Sequence, residues 1–194
     1  MQPIQPKVLW MRRGFANICR LLPTFARLNT IFIKMKFVSE NIIDEVIEEL
    51  DELDENQYEL RMEAFARSQP VIVAYLFNEE NFHLLNEDEK GFLQYLSLIS
   101  WMAFEKVNPD AEPASEDMIG EAEESNYALL EKTTGKTFRD RLNIFFEGYG
   151  QEDLLAFVEE AVLEDEDDPE ALVTKEGREP IFVAAKTVID ALIF

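Results

Sequence analysis

From Phe92 to Phe104 the chain has almost no polar side if it is wound as a helix. Phe92, Leu93, Tyr95, Leu96, Leu98, Ile99, Trp101, Met102 and Phe104 point nearly all the way round. A helix that is apolar on every side must be enclosed by protein. This predicts a central helix over about 87–107 with other helices packed around it. Asn86, followed three residues later by Glu89, reads as the capping box that starts it.

The rest of the body carries the same period. Ser39 is placed to cap a helix whose buried stripe is Ile42, Ile43, Val46, Ile47, Leu50 and Leu53. A second helix is predicted from about Gln57 to Arg67, with Tyr58, Met62 and Phe65 inward. Pro70 suits the first position of a third, where its missing N–H is not needed. Asn108–Ala114 reads as a linker, and Ser115 as the cap of a helix ended by Gly135. Further helices are expected around Phe138–Phe146, closed by Gly148 and Gly150, and around Leu154–Val162. Asp168-Pro169 reads as a cap with a first-turn proline, and Ala171–Val173 as a short turn. The last helix should begin near Pro180, and its Ala-Leu-Ile-Phe ending predicts a docked C-terminus. Seven Gly and eight Pro are too few for the closely spaced turns of a β protein. The expectation is an all-α fold, a compact bundle of about seven or eight helices. Leu154–Ala184 also echoes Ile42–Ala74, each an amphipathic helix followed by a Pro-started apolar one.

Charge divides the chain. The net charge is −22, yet residues 1–36 hold Lys7, Arg12, Arg13, Arg20, Arg27, Lys34 and Lys36 and no acid. That leaves eleven basic residues against forty acidic ones in 37–194, a net −29. We therefore expect a basic arm over 1–36 and a single acidic helical domain over 37–194. The simplest account of the arm is an upstream extension, with Met35 as the true start. A transit-type leader, or a basic arm docking on the acidic body or another molecule, are the alternatives. The acidic field argues against nucleic-acid and anionic-membrane partners and favours cationic ones, with weak divalent-cation binding on the surface. In the helix after Ser39, Asp44–Glu48, Glu45–Glu49, Glu48–Glu52 and Asp51–Glu55 are like-charge pairs, each costing about 0.2–0.5 kcal/mol. Its buried stripe must hold it.

Catalytic signatures are sparse. Cys19 and His83 are the only residues of their kinds, which excludes an internal disulfide and a Cys/His zinc site within one chain. No P-loop, G-x-G-x-x-G, H-E-x-x-H or G-x-S-x-G pattern occurs. Glu80-x-x-His83 matches half of a di-iron bundle motif, and a symmetric dimer would have to supply the rest, with Glu121 or Glu124 as further ligands. The acidic run Asp165–Asp168 lacks the Gly and terminal Glu of a calcium loop. Glu105 and Asp190, beside apolar stretches, are the carboxylates most exposed to a burial shift, each expected at a helix edge with a Lys or a cap as partner.

The pattern favours a non-enzymatic cytoplasmic module that self-associates or binds a protein partner, with Trp101, Met102 and Phe104 as interaction residues and no cofactor. A dimeric carboxylate/His metalloenzyme built on Glu80, His83, Glu121 and Glu124 is one alternative. A small-molecule sensor with an aromatic pocket near Tyr75, Tyr95 and Trp101 is another.

Overall fold

Four helix starts are written into the chain as reciprocal side-chain caps. Asp54 with Gln57, Asn86 with Glu89, Ser115 with Met118 and Thr137 with Asp140 each satisfy backbone N–H groups that a helix start leaves bare. In the computed structural model, which describes residues 35–164 and 171–194, the helices run α1 (Glu40–Asp51), α2 (Glu55–Ser68), α3 (Pro70–Leu76), α4 (Glu87–Val107), α5 (Glu116–Leu130), α6 (Phe138–Phe146), α7 (Glu152–Leu163) and α8 (Arg178–Ile193). The fold is all-α, with eight helices and no strand among the described residues. Residues 1–34, which hold most of the basic arm and Cys19, and the acidic run with Asp168-Pro169 lie outside the described residues.

Helix α4 is enclosed as its composition requires. Leu93, Leu96, Leu98, Ile99, Trp101, Met102 and Phe104 are buried, and Ser97 and Ser100 hide their hydroxyls by donating to the carbonyls of Leu93 and Leu96. Helix α8 shares the centre, packing against α4, α5 and α7. Its residues Ile181–Ile189 are all buried. Fully burying such a Leu, Ile or Phe side chain stabilises by about 1.5–3 kcal/mol. Phe65 stacks on Trp101 at 5.0 Å between ring centroids, and Phe138 and Phe145 meet Phe182 edge-on.

Residues 35–39 form no helix and are clasped by two amide side chains. Asn108 accepts from the Lys36 N–H and donates to the Lys36 carbonyl. Gln151 donates to the same carbonyl and accepts from the Val38 N–H. Both amides stand in for a missing strand neighbour, so the segment's polar backbone is satisfied where Val38 is buried.

Three expectations are corrected. Helix α5 stops at Leu130, not at Gly135. Gly135 is instead a point of close approach, since a Cβ there would lie 2.7 Å from Asp140 Cβ and 2.8 Å from the Arg141 nitrogen. The docked C-terminus extends to Ile193, and only Phe194, 61% exposed, stands out of it. The internal echo does not extend to matched units: a full helix, α2, joins α1 to the short α3, whereas the described part of the α7–α8 connection has none.

Candidate functional site

The residues singled out from the sequence do not gather. Trp101, Met102 and Phe104 are core side chains and offer no exposed face, because α4 is buried on all sides from Leu96 to Phe104. Glu80-x-x-His83 is not helical. It lies in the turns between α3 and α4, where the Asn78 side chain accepts from the Glu80 N–H and His83 Nδ1 lies 3.1 Å from the Glu80 carbonyl oxygen. The i,i+3 ligand face that the motif needs is therefore absent. Glu121 and Glu124 are exposed on α5. No cluster of three or more metal-ligating side chains occurs among the described residues. Trp101 is spent on Phe65, and Tyr75 packs on Phe82 and donates to Glu123 at 2.6 Å.

What the fold does assemble is an open cleft of about 470 Å³ where α5, α6 and α8 meet. Its apolar walls include Ala122, Leu129, Ile144 and Phe145, with Ile193 and Phe194 at the end of α8. Glu121 and Glu147 stand among its lining residues beside Ser125. Such a volume lies within the range of small-molecule sites.

Its polar floor is a single hydrogen-bonded group. Lys186 and Asp190, one turn apart on α8, are bonded through both carboxylate oxygens at 2.6 and 2.7 Å. Asp190 also accepts from the Tyr149 hydroxyl at 2.9 Å and from Asn126 Nδ2 at 2.9 Å. The Lys186 ammonium lies 3.9 Å from the Tyr149 ring centroid, a cation–π contact. Tyr149 reaches this position because α6 ends at Phe146 and the chain reverses through Gly148, whose φ of 71° suits glycine. Asn126 is presented by α5 and also donates to Thr187.

Burial dominates the electrostatics of this floor. It lowers the Lys186 pKa, with Asp190 opposing the shift. It raises the Tyr149 pKa well above that of an ordinary phenol, and the neighbouring Asp190 charge adds to the rise. Elsewhere, Glu105 is exposed at the edge of α4, its carboxyl pushed up by partial desolvation and pulled down by Arg61.

A second buried carboxylate is structural. Glu89, 1% exposed, accepts from the Asn86 N–H and from both the N–H and the hydroxyl of Thr174. It thereby ties the start of α4 to the turn that leads into α8.

No family model matches the chain, and neither the curated proteins nor the solved structures yield a similar one. The cleft must be read from its own residues. Of these, sequence reasoning reached Asp190 and Glu121 and missed Lys186, Tyr149 and Asn126. One signal was available: Lys186 interrupts Val183–Val188, a stretch otherwise without charge, with Asp190 four residues on.

Proposed function

We propose that this chain is a small-molecule-binding helical protein whose site is the cleft between α5, α6 and α8. The observation that supports the reading is the combination of apolar walls with one convergent polar cluster, Lys186–Asp190–Tyr149–Asn126. The ligand class that fits is a small, largely apolar molecule with one polar group. Its body replaces water against Leu129, Ile144 and Phe194, and its polar group meets the floor. Nile red, a neutral apolar dye, tests the reading. Its fluorescence should rise saturably with one site per chain. Ser125→Trp, which fills the cleft mouth from an exposed position, should weaken binding about ten-fold or more without lowering the melting temperature. Unchanged dye affinity in that variant overturns the proposal.

A second reading, protein interaction or self-association, is favoured by a different observation. Phe77 and Leu84, 55% and 71% exposed, flank the turns between α3 and α4. Exposed large apolar side chains so close in sequence suit a partner surface. The mass of the full chain by light scattering tests it: a dimer that Leu84→Ser dissociates supports this reading, and a monomer at all concentrations removes self-association.

A further inference from the structure

We propose that the cleft captures a carbonyl compound covalently, with the Lys186 amine forming an imine to a small apolar aldehyde or ketone. This rests on the ligand-binding reading of the same cleft and names the ligand's polar group.

Lys186 is 5% exposed and is one of the residues that line the cleft, the opening from which a reagent would approach it. A buried ammonium beside apolar walls is costly to keep charged, and burial lowers its pKa. A desolvated lysine is the form in which this side chain serves as a nucleophile. Asp190, at 2.6 and 2.7 Å, is positioned to receive its proton. The same carboxylate is steadied by Tyr149 and Asn126, which leaves its geometry fixed while the proton moves.

The step balances without any further reagent. Asp190 takes one proton from the Lys186 ammonium, and the freed nitrogen lone pair forms a C–N bond to the carbonyl carbon. The C=O π pair moves to oxygen, which takes that proton back from Asp190. A second proton passes from nitrogen to Asp190 and on to the hydroxyl, the C–O bond breaks, and water leaves. The product is a protonated imine with one positive charge, the charge Lys186 carried at the start, and Asp190 is again a carboxylate. The imine nitrogen remains beside Asp190 and over the Tyr149 ring, so the interactions that held the ammonium hold the adduct. Apolar walls around Leu129 and Ile144 select a ligand with an aliphatic or aromatic body.

The experiment treats the full chain with hexanal and sodium cyanoborohydride at neutral pH, which reduces any imine to a stable secondary amine, and maps the modified lysines by mass spectrometry. Lys186 should be labelled about ten-fold faster than the exposed Lys132 and Lys136. Ser125→Trp should suppress the Lys186 label and leave the other two unchanged. Asp190→Asn should slow the Lys186 label by a similar factor and change its pH dependence, with the Lys132 and Lys136 labels unchanged, a result that a merely structural role would not produce. Where that variant fails to fold, the selectivity in the natural sequence decides alone. Even labelling across all lysines overturns the imine. If Nile red still binds and Ser125→Trp blocks it, the ligand-binding reading survives that failure; if the dye does not bind either, both fall.

Discussion

Lys186 and Asp190 form a bidentate ion pair on α8 with side chains 6% and 15% exposed, and Asp190 is the point through which α5, the turn after α6 and α8 are joined. Removing one member of such a pair leaves the other charge buried and uncompensated. Asp190→Ala is expected to destabilise the fold by about 3 kcal/mol, read by urea unfolding. Lys186→Met should cost less, because Asp190 keeps Tyr149 and Asn126 as donors. The double variant Lys186→Met, Asp190→Leu should recover part of the loss of the first. A double variant no more stable than Asp190→Ala would show that the pair is not the source of the cost.

Gly177 fits against Glu89 only because it has no side chain. A Cβ there would overlap the Glu89 carboxylate, which Thr174 and Asn86 hold in place. Gly177→Ala is expected to cost about 1–3 kcal/mol by forcing this tie apart. Gly120→Ala, on α5 with open space around it, should be neutral or slightly stabilising, since alanine is the better helix former. Equal effects of the two in thermal melts would contradict the close approach.

Tyr149 and Tyr75 make stability fall at alkaline pH. Both phenols are buried beside a carboxylate and are held above their ordinary value of 10.0. In the folded chain they stay protonated after the unfolded chain has begun to ionise. Their contribution is therefore complete below pH 10 and is lost as pH rises above it. Lys186, whose folded pKa is lowered, acts in the opposite sense below its unfolded value of 10.5. The melting temperature should drop steeply above pH 10, and Tyr149→Phe should flatten that drop. An identical alkaline slope in the variant would remove Tyr149 as a cause.

Added salt should stabilise the protein. The chain carries a net −22, and α1 alone lines up Asp44, Glu45, Glu48, Glu49 and Asp51. Only a few cations offset this face, with Lys106 set against Glu45 and Glu49 and Arg61 also paired with Glu49. Screening therefore relieves more repulsion than attraction. The melting temperature is expected to climb between low and moderate NaCl; a steady fall would mean that the ion pairs dominate.

Much of the fold was legible because local chemistry announced it. The Asn86–Glu89 box, the Ser115 cap and Pro70 at the start of α3 act within one helical turn, and the structure keeps all three. The all-round apolar character of 92–104 required enclosure, and α4 is enclosed. Gly135 was misread because glycine after an apolar run signals a helix end, whereas here the α6 backbone comes close enough to forbid a Cβ. Glu80-x-x-His83 carries half of a ligand motif only in its spacing: i,i+3 places two side chains on one face in a helix, and here the Asn78 side chain accepts from the Glu80 N–H in a turn instead.

Periodicity and caps by themselves determined the all-α class, the starts of α3, α4 and α5 and the central place of α4, because each depends on residues within a few positions of one another. Only the tertiary structure decided that α8 shares that centre, that Trp101, Met102 and Phe104 are core rather than surface, and that Asn126, Tyr149, Lys186 and Asp190 meet at one floor. Asn126 and Asp190 are 64 residues apart in the chain, and Tyr149 and Asp190 are 41 apart. No local period encodes such a meeting. It arises from how α5 and α6 pack on α8, where burial of apolar area sets the arrangement and the polar groups must then find each other.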